Sequence, residues 1–370
     1  MKFTIKNDIF LKTLENIESV VEKKSITPIL SNVRLQVTND ILLLNGTDMD
    51  LDIVETITVT NPQEGTTTAS IHKLYETINN LPKNSSTSIE LIDDKLHITC
   101  DRFKGYLNTI SADEFPIIST DELPINFYLP ISDFKLLLEK TKFAISQDDT
   151  RYYLNGVYFH TTEREGVKII RGVATDGHRL ALTDIPTTEG SENLTPIIIP
   201  KKAVEKIFNL LSKTKEEKLK ISSSNTKISF NLANLTLTSK LIDGTFPDYK
   251  RVIPTNNTEE ITIDKQIFIS KIKLVSTYSD EKLKGIKFNI TKNTLNIIAE
   301  NIEGQAEEEI ALENEIADLS IAFNSKYILE ICEKITTDKI TILLSSSNTP
   351  ALIKTKSSEN ELYVLMPMRI

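Results

Sequence analysis

Three stretches of the chain change their hydrophobic period at the same point. They read FTIKNDIFLKTLENI at Phe3–Ile17, FYLPISDFKLLLEKTKFAI at Phe127–Ile145 and ITIDKQIFISKIKLV at Ile261–Val275. Each opens with alternation (Phe3 and Ile5, Phe127 and Leu129, Ile261 and Ile263), which predicts a strand. Each then shifts to helical spacing, as at Leu11, Leu14 and Ile17. A polar residue sits at each change, Asn7 or Asp8, Ser132 and Asp264, where a helix cap belongs. A second helix recurs in ASIHKLYETINNL, IPKKAVEKIFNLL and FNSKYILEICEKI. Aligned on Ser70, Pro200 and Asn324, these share apolar positions at Leu74, Val204 and Ile328, at Ile78, Phe208 and Cys332, and at Leu81, Leu211 and Ile335. That is one helix face found three times, each behind a residue suited to a helix start.

Between the helices lie short alternating strands such as NVRLQVTND, LDIVETITVT, KISFNLANLTLTSKL, GIKFNIT and TLNIIAE. Two helices and many antiparallel strands per unit predict an α+β fold. The period divides the chain into 1–125, 126–254 and 255–370. GTDMDLDI at Gly46–Ile53 and ATDGHRLAL at Ala174–Leu182 occupy the same place in their repeats, and AENIEGQAEEEI at Ala299–Ile310 fits the third. These segments read as hairpin turns, with Asp176-Gly177 supplying turn chemistry. Like units joined head to tail close into a ring when the rotation per unit allows it. Closure also removes sheet edges. The repeat alone leaves open whether three units make a whole ring or half of one.

Composition changes this picture in one respect. The 370 residues carry 43 Lys and Arg against 52 Asp and Glu, a net charge of −9. Six helical windows (6–24, 70–83, 132–145, 201–218, 264–284 and 324–339) together carry +7, leaving −16 elsewhere. Helices basic against an acidic body suit either solvated i,i+4 pairing or sequence-independent contact with a polyanion. The cysteines, Cys100 and Cys332, stand far apart, and the four histidines show no metal-ligand spacing, so neither a zinc site nor a disulfide framework is predicted. MKFTIKND lacks the apolar core of a signal peptide, and no apolar run reaches the roughly 18–20 residues of a membrane span. A cytoplasmic protein without membrane contact is expected.

Catalysis has little to stand on. No phosphate-binding, dinucleotide, zinc-protease or nucleophile-elbow motif is present. Asp176 and His178 could serve as orienter and base of a hydrolase, but no nucleophile accompanies them and the repeat already explains the segment as a turn. RYYLNG at Arg151–Gly156 sets two tyrosines side by side, which in a strand point to opposite faces; one buried and one exposed ring, or stacking on DNA, would each account for them. The end, LYVLMPMRI, is unusually apolar and reads as a docked strand that can wall a groove.

MKFTIKND, RYYLNG, ATDGHRLAL, GTFPDYKRVIP and YVLMPMRI, in that order over the whole chain, resemble the β subunit of bacterial DNA polymerase III, the sliding-clamp family. The resemblance implies three tandem clamp domains, head to tail, forming half of a six-domain ring. Such a homodimer encircles duplex DNA and tethers the replicative polymerase, with no catalytic residue, cofactor or metal. Its implied partners are double-stranded DNA, a second copy of itself, the polymerase III alpha subunit, a clamp loader, and other polymerases and repair proteins carrying clamp-binding peptides. A peptide groove between the second and third domains is expected at Leu154, Thr175, Gly177, His178, Arg179, Leu180, Pro247, Arg251, Val252, Asn324, Tyr327, Pro350, Val364, Met366, Pro367, Met368 and Arg369. DNA contacts are expected at Lys24, Lys73, Arg151, Tyr152, Tyr153, Lys201 and Lys202, with Asp148 standing where the family commonly has Gln. Leu74, Ile78 and Phe103 are expected to meet Thr277 and Tyr278 of a second copy. A purely structural repeat protein is the remaining alternative; it predicts no DNA-dependent behaviour.

Overall fold

The structure is a computed structural model; it describes residues 1–370 apart from Lys24, residues 119–122, residues 356 and 357, and Ile370, and for residues 358 and 359 the backbone alone. Six helices follow in order among the described residues: α1 (Asn7–Glu18), α2 (Ile71–Asn79), α3 (Ile131–Thr141), α4 (Lys201–Lys213), α5 (Lys265–Val275) and α6 (Ser325–Lys334). Every helix ends before the window read from the sequence does, although Val20, Val21, Ala144, Ile145 and Ile335, just beyond helix ends, are buried outside α-helical backbone. The described strands pair antiparallel throughout, and no helix is long and apolar enough to cross a membrane.

The chain forms two compact units, Met1–Ser132 with Thr188–Thr195 and Lys202–Leu241, and Asp133–Thr187 with Pro196–Lys201 and Ile242–Ile370. The middle repeat contributes to both. In the first unit the described strands make a thirteen-stranded sheet with Ile125–Pro130 at one edge and Thr60–Gln63 at the other. Its first two repeats join where Leu51–Thr58 pairs with Leu235–Lys240, Leu51 facing Ser239 and Asp52 facing Thr238. Phe10 of α1 is fully buried, edge-on to Phe3 at 6.0 Å. Leu74 and Ile78 of α2 are buried as well.

In the second unit eight strands run from Ile197–Pro200 to Glu259–Asp264. The middle and third repeats join where Arg179–Pro186 pairs with Ser358–Leu365, Arg179 facing Leu365 and Leu180 facing Val364. Gly172 lets α3 lie on this sheet, since a Cβ there would come within 2.4 Å of Leu137. Phe134 and Phe268 repeat the role of Phe10, fully buried and edge-on to Phe159 and Phe288. A separate ribbon pairs Gly285–Asn301 with Gly304–Asn324. GIKFNIT and TLNIIAE, read as two strands, are one strand here, with register shifts around Lys292 at φ 51°.

Two expected caps are corrected. Asn7 does not cap α1: it is buried, donates to the Pro82 carbonyl (2.8 Å) and accepts from Thr87 (2.5 Å), tying the helix start to a neighbouring hairpin. Ser132 lies inside α3, whose helical run already begins at Ile131. Asp264 does cap α5, accepting from Ile267 N–H at 2.9 Å, as Ser70 and Asn324 cap α2 and α6.

Candidate functional site

The turn at Thr175–Arg179 is built by its own side chains. Thr175 Oγ1 accepts from Gly177 N–H (3.1 Å) and donates to the Arg179 carbonyl (2.6 Å). Asp176 Oδ1 accepts from the backbone N–H of His178 (2.9 Å) and of Arg179 (3.0 Å). Asp176 Oδ2 takes Arg179 Nε at 3.1 Å. The carboxylate thus holds the backbone of His178 rather than orienting its ring. The His178 imidazole is exposed and lies over Tyr327 of α6, ring centres 6.2 Å apart. Asp176 and His178 are not arranged as a catalytic pair. Gly177 is at φ 87°, and Arg151 Nη1 stands 2.6 Å from where its Cβ would be. The turn therefore needs glycine for both backbone and space.

The chain's end docks on this turn. Met366 N–H donates to the His178 carbonyl (2.9 Å), and Met368 N–H to the Ala322 carbonyl (2.7 Å). Met366, Pro367 and Met368 are half-buried and Arg369 is exposed. Beside them lies one apolar cluster: Leu154, Val173, Leu180, Leu182, Ile198, Phe246, Tyr249, Leu352 and Val364, flanked by Tyr153, Tyr158, Ile242, Ile253, Leu343 and Leu362. Leu154, Leu180 and Val364 were expected there. Phe246, Tyr249 and Leu352 were missed, although the GTFP repeat signature pointed next door to Pro247. Pro247, Arg251 and Val252 are exposed, with Arg251 paired to Asp248 at 2.9 Å. Pro350 accepts from Asn257 through its carbonyl (2.9 Å), and the Asn324 side chain caps α6 and donates to the Leu283 carbonyl (3.1 Å).

A polar layer supports the cluster. Tyr158 stacks flat on Phe246 at 4.8 Å. Tyr249 Oη lies 3.2 Å from His160 Nε2 and 3.4 Å from Arg171 Nη1, and Arg171 grips Asp184 at 2.6 and 2.8 Å. Burial pushes the His160 pKa down, favouring the neutral ring that can share a hydrogen bond with the tyrosine.

Arg179 does not face the cluster. Successive strand residues point to opposite faces. Leu180 enters the cluster, whereas the Arg179 side chain is 7% exposed and meets Glu330, the Phe143 carbonyl (2.7 Å) and the ring of Tyr327 (4.4 Å).

Of the residues expected at DNA, Arg151, Tyr152 and Tyr153 share one 3-10 segment, Asp149–Leu154, and Lys201 N–H donates to the Asn155 carbonyl just after it at 2.9 Å. Lys24 lies outside the described residues. Lys73 is exposed beside Glu76 (2.8 Å), and Arg151 pairs with Asp148 (2.9 Å). Tyr152 is exposed and Tyr153 half-buried, 5.8 Å apart edge-on, so one ring faces solvent and the other lines the cluster. Lys201 is half-buried. Lys202 is held by Asp48 and by Glu22 at 3.6 Å. Of the residues expected between copies, Phe103, Thr277 and Tyr278 are exposed. Leu74 and Ile78 are not available: at 0% and 1% exposure they fill the chain's own core, the face that the repeated helix pattern already marked. Among the described residues no group of His, Cys, Asp and Glu is placed to hold a metal ion.

Three family models match in sequence. Residues 1–119, 128–248 and 250–369 match the N-terminal, central and C-terminal domains of the DNA polymerase III beta subunit. The chain belongs to that family. It consists of three tandem DNA-clamp domains, and sliding clamps are non-catalytic processivity factors of DNA replication. It is 35% identical to the beta sliding clamp of Caulobacter vibrioides over 373 residues, and 31% identical to that of Escherichia coli over 372 residues, covering 100% of each chain. Among solved sliding clamps it superposes on one from Bartonella birtlesii bound to griselimycin with a TM-score of 0.97 at 37% identity, covering 100% of both chains. The Pseudomonas aeruginosa beta subunit gives a TM-score of 0.94 at 32% identity, again over 100% of both.

Proposed function

We propose that two copies of this chain form a ring of six domains, divided in each copy at 1–125, 126–254 and 255–370, that encircles duplex DNA. The ring slides, and it tethers the replicative polymerase to its template. Encirclement explains how a chain of net charge −9 serves DNA: topology replaces tight binding, and the basic helices need only weak, sequence-independent phosphate contacts. Lys73, Arg151, Tyr152 and Lys201 are the contacts favoured by their exposure or half-exposure. Phe103 and Tyr278, 41% and 43% exposed, suit the contact between copies. A clamp loader opens the ring in the cytoplasm.

Partners, including the alpha subunit and repair proteins, dock a short peptide in the groove of the second and third domains. The observation that carries this is the apolar cluster set between the turn at Thr175–Arg179 and the docked tail. An apolar pocket with a polar rim takes a peptide with a Leu or Phe anchor. The Bartonella relative, a clamp of the same fold, binds griselimycin.

The test is retention on primed circular DNA after loading, against the same DNA linearised. The ring reading expects the protein to stay on circles and run off cut ends. Equal retention on both would overturn it.

A further inference from the structure

The turn at Thr175–Arg179 recurs in the other two repeats, and the recurrences isolate what Arg179 adds. In the first repeat Asp48 Oδ1 accepts from Asp50 N–H (2.9 Å) and Leu51 N–H (2.7 Å). In the third, Asn301 Oδ1 accepts from Glu303 N–H (2.8 Å) and Gly304 N–H (3.1 Å). The residue matching Arg179 is thus Leu51 in one turn and Gly304 in the other. The turn closes without an arginine, so the guanidinium is free for another task.

Its surroundings define that task. Nε binds Asp176, Nη1 binds Glu330 on α6, and Nη2 binds the carbonyl of Phe143 just after α3. The planar group is flanked by the Tyr327 ring at 4.4 Å and the Phe143 ring at 5.0 Å. A buried, delocalised cation with rings on it and three nitrogens engaged is fixed in place. It joins the turn and Phe143, from the middle repeat, to α6, from the third. Its backbone neighbours carry the groove: Leu180 enters the apolar cluster and the His178 carbonyl holds Met366.

We propose that Arg179 is a positioning residue that locks the second and third domains at the spacing the groove requires, acting from the far face of the sheet without touching the bound peptide. The proposal rests on the groove reading above and assigns its regulation to the Arg179–Glu330 contact. A groove held in its binding geometry loses less freedom when it is filled.

The probe is griselimycin, titrated calorimetrically into the full chain at 10 °C, with the thermal midpoint measured separately. Binding to the unmodified chain that Leu180→Asp abolishes supports the groove; absence of binding, or binding that Leu180→Asp leaves intact, overturns the groove itself. With the groove standing, Glu330→Ala is expected to weaken binding roughly 5- to 10-fold while the chain remains folded at that temperature, an effect typical of coupled neighbours. Arg179→Ala combined with Glu330→Ala should bind no worse than Arg179→Ala alone. Full affinity in Glu330→Ala, additive losses in the double variant, or a loss explained wholly by the unfolded fraction would each overturn the positioning role. Glu330→Ala keeps the test decisive should Arg179→Ala fail to fold.

Discussion

Thr47–Leu51 and Thr175–Arg179 fold into one backbone with two outcomes. In both, the threonine hydroxyl donates to the carbonyl four residues on (2.8 and 2.6 Å), and the aspartate collects two backbone N–H groups. In both, the next strand docks identically: Lys240 N–H donates to the Asp50 carbonyl and Met366 N–H to the His178 carbonyl, each at 2.9 Å. The side chains diverge. Asn45 and Asp52, bonded at 2.9 Å, stand where Val173 and Leu180 stand, and Thr238 stands for Val364. One junction therefore has a polar floor and the other an apolar one. The latches are reversed as well. Lys202, on the helix, reaches the turn's Asp48, whereas Arg179, on the turn, reaches the helix's Glu330. The backbone supplies the same junction at both places where strands of neighbouring repeats pair; the side chains at Asp52 and Leu180 make one floor polar and the other apolar.

The severest way to break this comparison is to give the second junction the floor of the first. Leu180→Asp puts a carboxylate among Val173, Leu182 and Val364, with no asparagine to bond it. An uncompensated buried charge costs about 3–5 kcal/mol. Urea denaturation at pH 7.5 should show a loss of that order, together with the loss of griselimycin binding. A cost below about 1 kcal/mol would mean that the floor is wet, and that polarity does not distinguish the two junctions.

Much of this was legible in the sequence because it repeats. The buried helix faces through Leu74, Val204 and Ile328 and the identity of the turns follow from alignment and period alone, whereas in the first helix the buried face runs through Phe10, Leu14 and Ile17 rather than through Leu11. The errors share a cause: a residue type was read without its direction. Leu74 and Ile78 lie on the repeated core face, so they could not also serve a partner. Arg179 follows the groove motif in sequence but alternates away from Leu180 in the strand. Asn7 had the chemistry of a cap and was drawn instead to Pro82 and Thr87, 75 and 80 residues away. The network of His160, Arg171, Asp184 and Tyr249 left no local signal, since its members come from three strands and a 3-10 helix.

A gentler change sharpens the comparison at the first junction. Asp52 is 3% exposed, and burial raises its pKa to about 6, against the bond from Asn45. Between about pH 4 and 6 the folded chain keeps a proton that the unfolded chain has released. Stability from this group therefore falls as pH rises through that window and stays level above it. Asp52→Asn removes the charge and offers a donor to Asn45 Oδ1, which is buried without a partner. The variant should be more stable by about 1–3 kcal/mol at pH 7.5 and nearly equal at pH 4. Denaturation midpoints across pH 4–8 check this; a gap that is constant across the range would remove ionisation of Asp52 as its cause.

The smallest effect is expected at the first junction's latch. Lys202 has a half-exposed side chain; burial opposes its charge, but Asp48 and Glu22 hold its pKa above the usual value. Lys202→Met takes the cation from Asp48 while leaving that carboxylate its two N–H donors from Asp50 and Leu51. The loss should be about 0.5–1 kcal/mol in 50 mM salt and should shrink in 0.5 M salt, where an exposed pair is screened. Urea midpoints at the two salt concentrations measure it. Because Lys202 is already engaged by carboxylates, its removal should also shift DNA retention less than Lys201→Met does. A stability loss as large as that of Leu180→Asp would transfer the distinction between the junctions from their floors to their latches, and Arg179 would then outrank Leu180 in what makes the second one a groove.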